Sequence, residues 1–258
     1  MKHGEIIQLG RHKLMCGDAT SREDVMHLIG TDHVDLVLTD PPYGMKTQGR
    51  DGTIGERGKK PVNESWRGSH KTVLTYYPKA RKYPILYGDD SVIAAKSHWQ
   101  IIRDITPLQI IWGGQYFSEF LPPSGGWIFW DKLTGQNDFS DGELAWCSCG
   151  KRVRKYTQRW CGAVLACNCK LNAIGGRNKR DTKPRIHPTQ KPVELHMKIL
   201  EDFTKPDDVI LDCFGGSGTT LIACNETGRK CLMMEISPDY CDIIVERYDK
   251  LTQGSINF

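Results

Sequence analysis

The residues Asp40-Pro41-Pro42-Tyr43-Gly44 end the apolar run Val34-Asp35-Leu36-Val37-Leu38-Thr39. Runs of aliphatic and β-branched residues of this length read as buried strands. Two successive prolines lack the N–H donors a strand needs, so the strand is expected to stop at Asp40. A carboxylate, a rigid turn and an aromatic ring then stand together at the carboxyl end of a strand, where open α/β sheets bind ligands. The ring can stack on a nucleobase, while the carboxylate and the Pro41 carbonyl can accept hydrogen bonds from an exocyclic amino group. Taken alone, the four residues also fit a purely structural turn.

A second constellation comes after the strand pattern Asp208-Val209-Ile210-Leu211-Asp212-Cys213-Phe214, which runs into Gly215-Gly216-Ser217-Gly218-Thr219-Thr220. Glycines here permit a tight strand-to-helix turn and close approach of backbone to a ligand. The segment has neither the Gly-Lys-Ser/Thr of a phosphate-binding P-loop nor the Gly-x-Gly-x-x-Gly dinucleotide spacing. Glu235 ends the next strand, 23 positions after Asp212, where an acidic residue can take a pair of ribose hydroxyls. A capping role is the competing reading of Glu235. Asp18 ends an earlier strand and reads equally well as a turn or cap. In His187-Pro188-Thr189-Gln190-Lys191-Pro192, Pro192 suits a first helical turn, which brings Lys191 near a helix N-terminus that attracts carboxylates. On residue type alone His187 and Lys191 would be surface groups.

The elements that must position these groups alternate. Glu5 to Asp18 reads as a β region with a turn at Gly10-Arg11-His12. Ser21 caps a helix to Ile29, with Asp24 in the capping-box position. A helix from Ser91 to Ile105 is expected, then strands at Gln109–Trp112, Gly126–Asp131 and Glu143–Cys147. Trp127 and Trp130 fit core packing better than base stacking. A helix over Val193–Phe203, one after Gly218 to about Glu226, a strand Lys230–Glu235 and a helix from Ser237-Pro238 to Leu251 close the chain. This alternation is that of an α/β chain.

At 258 residues and 29.2 kDa, with 39% hydrophobic residues, one domain over 1–258 is expected. The sequence has no 18-residue apolar stretch and no secretory pattern at its start, so a soluble cytoplasmic protein with no membrane partner is expected. The formal net charge is +4, but it is unevenly spread. Met45–Lys82 holds ten Lys/Arg against three Asp/Glu, and Lys151–Arg185 eleven against one. Such clustering suits a polyanion, whose counterions are released as Lys and Arg neutralise phosphates, although solvated basic loops are a plainer alternative. Residues 45–87 read as a lid or DNA-contact loop, poorly ordered without DNA. Residues 147–185 form a basic stretch interleaved with Tyr156 and Trp160. Five of the ten cysteines, Cys147, Cys149, Cys161, Cys167 and Cys169, cluster without the usual Cys-x-x-Cys zinc spacing, so reduced thiols and no metal are expected.

Four segments, Asp40–Tyr43, His187–Pro192, Asp212–Thr219 and Glu235, resemble in that order the motifs of the beta-class DNA adenine-N6/cytosine-N4 amino-methyltransferases. The resemblance implies a circularly permuted Rossmann-like fold with helices on both faces of a mostly parallel sheet, and S-adenosylmethionine as cofactor. It implies catalytic roles for Asp40, Pro41, Pro42 and Tyr43. It implies cofactor contacts from Asp18, Gln190, Lys191, Asp212, Phe214, Gly215, Gly216, Ser217, Gly218, Thr219 and Glu235. The substrate would be double-stranded DNA with an adenine flipped from the duplex. Asp in the first motif position resembles the N6-adenine members; cytosine-N4 is the runner-up, and a non-catalytic DNA-binding module is the alternative of another class. Target recognition is assigned to the basic stretch, with Arg152, Arg154, Lys155, Arg159, Arg177, Lys179 and Arg180 as DNA contacts. Enzymes of this kind often pair, which makes a homodimer one expected state.

Overall fold

The computed structural model describes residues 1–46, 48, 53–54, 81–133, 140–150, 152–158, 186–187 and 189–254. Its centre is β10 (Val209–Asp212), paired in parallel with β11 (Lys230–Glu235) on one side and with β3 (Leu36–Thr39) on the other. Beyond β11 come β2 (His12–Cys16) and then β1 (Ile6–Leu9), which folds back on β2 as an antiparallel hairpin. Beyond β3 comes β6 (Gln109–Trp112), again parallel. Next to it lies β8 (Gly142–Cys147), antiparallel to both β6 and β7 (Gly126–Asp131), so β7 regains the direction of the central strands. The edge strand β9 (Val153–Thr157) adds in parallel to β7. Of the nine strands in this sheet, only β1 and β8 run against the rest. A separate ribbon pairs β4 (Thr53–Ile54) with β5 (Arg81–Lys82).

Strand side chains alternate between faces, and the helices sort accordingly. Leu14, Leu36, Leu38, Ile110, Ile210 and Met233 face α3 (Val193–Phe203), α4 (Thr219–Thr227) and α5 (Pro238–Thr252). Their neighbours Met15, Val37, Ile111, Leu211 and Leu232 face α1 (Arg22–Ile29) and α2 (Ile93–Ile102). Both faces of the central strands are therefore apolar and dry, which is why these strands read as unbroken hydrophobic runs. Trp130 is fully buried in the first of these layers, and Trp127 packs partly buried against the second.

The local signals at helix ends are met with small changes. Ser21 Oγ accepts from Asp24 N at 3.2 Å, but the Asp24 carboxylate turns to the N–H of Asp18 at 2.8 Å and not back to Ser21. The second helix spans Ile93–Ile102, shorter at both ends than the Ser91–Ile105 read from sequence. No strand was read in the basic stretch, yet Val153–Thr157 forms β9. As an edge strand it buries only Tyr156, so the pattern lacks the alternation by which strands are recognised. Of the 45–87 lid expectation, residues 47, 49–52 and 55–80 lie outside the described residues.

Arg229 gathers the ends of two helices. Buried at 5% exposure, it donates through Nη2 to the carbonyls of Thr204 (2.7 Å) and Leu200 (3.4 Å), and through Nη1 to the carbonyl of Thr227. Carbonyls at a helix C-terminus lack an intrahelical partner, and a cation there is also favoured by the dipole. Arg229→Met should cost about 2 kcal/mol or more by removing the donor to the Thr204 and Thr227 carbonyls; the Leu200 carbonyl keeps its bonds from Thr204. A lower midpoint at unchanged slope in urea unfolding is the expected result.

Candidate active site

The carboxyl ends of β3 and β10 meet at one buried carboxylate. Asp212 Oδ1 accepts from the Thr39 hydroxyl at 3.0 Å and from the Phe214 N–H at 3.1 Å, and Oδ2 accepts from the Thr220 hydroxyl at 2.6 Å. One side chain thus ties the strand carrying Asp40 to the glycine loop and to the first turn of α4. A cavity of about 480 Å³ opens above this junction. Asp40–Tyr43 forms one wall, Phe214–Ser217 and Glu235 another, and Asp18, His187, Gln190 and Lys191 complete it.

On the Asp40 side, charged groups form a chain. The Lys191 ammonium pairs with Asp40 Oδ2, lies 3.4 Å from Glu143 Oε2, and sits 5.0 Å above the Trp112 ring. Glu143, on β8, also pairs with Lys132 at 2.6 Å. Lys191 is only 5% exposed, whereas Asp40 and Glu143 keep 22% and 28% of their side chains open to the cavity. Burial opposes the charge on Lys191, but Asp40 and Glu143 outweigh it and hold its pKa above the usual lysine value. Burial and the Glu143 charge push Asp40 up against the pull of Lys191. Burial also works to raise Glu143, but with two lysines beside it the net shift is downward. The Tyr43 hydroxyl donates to Asp40 Oδ1, and burial and the Asp40 charge keep that hydroxyl protonated. Tyr116 stacks on the Tyr43 ring with centroids 5.2 Å apart. Gly113 lies against the same ring at φ +72°. A β-carbon there would fall 2.1 Å from Tyr43 Cε1, so only glycine lets the ring lie there.

The opposite wall combines a carboxylate with bare backbone. Glu235 Oε2 accepts from the Gly216 N–H at 2.7 Å and Oε1 from the Ser237 N–H at 2.9 Å, so its carboxylate lines the cavity with acceptor capacity to spare. Gly215 sits so close to β11 that a β-carbon would meet Met233 Cγ at 2.9 Å, which leaves bare backbone between strand and cavity. The His187 ring packs 4.7 Å from that of Tyr240 and over Gly216, so His187 roofs the glycine loop. Asp18 accepts from the N–H and hydroxyl of Thr20 at 2.8 and 2.7 Å. Gln190 Oε1 accepts from the Ile186 N–H at 3.3 Å. Ser217 and Thr219 hydroxyls lie 3.3 Å apart, and Gly218, at φ +78°, leads into α4. These residues fit S-adenosylmethionine: an acid for the ribose, a side-chain-free loop, and apolar walls from Phe214 and Ile236.

Residues 34–246 match the model of a protein family described as DNA methylase, the N6/N4 methyltransferases. The chain belongs to this family. It is therefore a DNA methyltransferase, and S-adenosylmethionine is its methyl donor. It is 24% identical over 271 residues to the type II methyltransferase M.HpaI of Haemophilus parainfluenzae, covering 94% of this chain and 76% of that protein. Its fold is similar to that of TTHA0409 from Thermus thermophilus, with a TM-score of 0.50 at 20% identity over 93% of this chain and 95% of that one. M1.HpyAVI, solved as a complex with S-adenosylmethionine, superposes with a TM-score of 0.49 at 18% identity, covering 91% of this chain and 98% of that one.

In this DNA methyltransferase the sequence-predicted groups fall unevenly. All the residues assigned to catalysis and donor binding are among those described. Lys191, placed with the donor from its sequence context, makes its contacts to Asp40 and Glu143. Of the basic residues assigned to DNA, Arg154 pairs with Asp202 at 3.2 Å and Lys155 with Asp131 at 2.8 Å, while Arg152 is exposed. Arg159, Arg177, Lys179 and Arg180 lie outside the described residues, as do Cys161, Cys167 and Cys169. Cys147 and Cys149 approach with sulfurs 3.4 Å apart, and no cluster fit to hold a metal occurs among the described residues. Among those residues no helix is long and apolar enough to cross a membrane. Sequence reading missed Glu143, Lys132 and Tyr116; the only signal was an acid inside an otherwise apolar strand, Gly142-Glu143-Leu144-Ala145-Trp146-Cys147.

Two carboxylates make the free protein pH-sensitive. Burial raises Asp212 from 3.8 to about 7, and burial likewise raises Glu235 from 4.5 to about 7. Folding therefore favours their protonated forms, and their contribution is full below about pH 4 and lost as pH rises through 7. The unfolding free energy of the ligand-free protein should fall over this window relative to Glu235→Gln, whose curve lacks the Glu235 share. Urea titrations at half-unit pH steps measure it.

Proposed function

We propose that this DNA methyltransferase transfers a methyl group to the exocyclic N6 amine of an adenine flipped out of duplex DNA. The observation carrying the proposal is the shared cavity, which has the Asp40–Tyr43 turn on one wall and the glycine loop with Glu235 on the other. Adenine over cytosine rests on aspartate in the first motif position. Flipping costs a few kcal/mol and is needed because a stacked base hides its amine.

When bound, S-adenosylmethionine supplies an electrophilic methyl on a sulfonium. Glu235 would hold its ribose, and the backbone of Gly215 and Gly216 would lie against it. The Asp40 carboxylate and the Pro41 carbonyl accept the two amino hydrogens. Those bonds draw nitrogen toward tetrahedral geometry and free its lone pair, which conjugation otherwise spreads into the ring. Tyr43 gives its ring face to the base and exchanges its hydroxyl bond to Asp40 for the incoming amine. Positioning of this kind accounts for much of such a rate enhancement. Basic residues along 147–185 would meet the phosphate backbone. The scheme is complete within one chain and so operates equally in a monomer or a homodimer, and a cytoplasmic setting gives access to DNA.

Labelled methyl transfer to unmethylated DNA, with nucleosides identified by mass, should give N6-methyladenine. Asp40→Ala should lower the rate roughly 10²-fold or more. N4-methylcytosine as the product would reverse the choice of base, and no transfer to any DNA would sink the reading. Stacking and the hydroxyl can also be separated. Tyr43→Phe should keep most of the activity, whereas Tyr43→Ala should weaken binding of DNA carrying an unpaired target base by about 1–3 kcal/mol.

A further inference from the structure

We propose that Glu143 is a positioning residue for methyl transfer, sharing the Lys191 ammonium with Asp40 so that Asp40 remains a competent acceptor for the amine. The inference rests on the proposed role of Asp40. Glu143 lies on β8, far from every recognisable motif, yet its carboxylate reaches the cavity and the same Nζ that Asp40 contacts.

The arrangement is asymmetric. Among the described residues Glu143 pairs with two cations, Lys132 at 2.6 Å and Lys191 at 3.4 Å, and Asp40 pairs with Lys191 alone. A carboxylate wholly committed to one buried ammonium is a poor base, because the ammonium already satisfies its charge. Dividing Lys191 between two carboxylates leaves Asp40 with residual negative charge. The acid with the weaker cation set has the higher proton affinity, which agrees with Asp40 shifting up and Glu143 down.

That difference matters for the proton. As the N–C bond forms and the S–C bond breaks with its electrons left on sulfur, the amine must lose one proton. Asp40 takes it and later releases it to solvent through the open side of the cavity. Among the described residues, the further titratable groups coupled to Asp40, Tyr43 or Lys191 include Tyr116 after β6, Asp212 at the end of β10 and His196 on α3. Tyr43 stays protonated, and burial lowers the His196 pKa to about 3, so His196 is neutral. Asp212 is tied to Thr39, Thr220 and Phe214 and contacts neither lysine through any of these bonds.

The scheme predicts opposite effects for two neighbours. Glu143→Gln removes a negative charge and gives Lys191 to Asp40 alone. The acid limb of the single-turnover rate should then move down by about one pH unit, with the plateau rate falling about tenfold. Lys132→Met removes a cation from Glu143, which draws Lys191 toward it and raises Asp40, so the limb should move up. Donor affinity, read by calorimetry, should be unchanged in both. Limbs that stay put, or move together, would overturn the inference while leaving the methylation reading intact. Should the wild-type protein methylate no DNA, the methylation reading fails first. The charge sharing is then tested by carboxyl-carbon NMR titration of Asp40 in the free protein, assigned by Asp40→Asn. The same opposite displacements support it, and an Asp40 titration indifferent to both variants refutes it.

Discussion

The parallel pairing of β3 with β10 is the contact on which the cavity depends. These strands lie about 170 positions apart in sequence, and the register sets Leu36 beside Ile210 and Val37 beside Leu211. Because parallel strands end on the same side, the pairing brings Asp40 and Asp212 to one edge of the sheet. The Thr39 hydroxyl on Asp212 then couples the two ends directly. At this point the connections leave in opposite directions, from β10 toward β11 on one side and from β3 toward β6 on the other. The loops part there and open a crevice.

Two kinds of buried charge occupy that crevice. Asp212 and Glu235 are held by hydrogen bonds from hydroxyls and backbone N–H groups. Asp40 and Glu143 are instead paired with lysines. Burying an ion pair is costly unless its geometry and remaining hydrogen bonds are good. In an alternating chain of Lys132, Glu143, Lys191 and Asp40 the formal charges cancel, which keeps the cost tolerable.

The β8 strand explains how a residue without a motif joins the site. It is inserted antiparallel between β6 and β7, so its N-terminal end lies where its neighbours finish. Glu143 near the start of β8 therefore stands beside Trp130 at the end of β7 and within reach of Lys132 just past it, at the same edge as Asp40. A parallel strand in that place would have put its first residues on the far side of the sheet.

The α/β alternation, the central strands and both ligand-facing turns were legible in the sequence. Proline pairs, glycine runs and unbroken apolar stretches act locally, through backbone dihedral limits and burial on both faces. The acid after each strand was legible for the same reason, since the point where a strand stops also marks the residue that emerges at the sheet edge. Contacts between distant segments were not. Lys191 sits next to Pro192 in sequence, where a helix N-terminus suggested an anionic ligand, but its long side chain reaches across to Asp40 and Glu143. Glu143 carried no local mark beyond being an acid in an apolar strand, and β9 hid because an edge strand buries one side chain and alternates with nothing. Sequence determined which groups were available and at which strand ends they stand; tertiary structure decided which of them share a lysine, because charge coupling depends on through-space distance and burial.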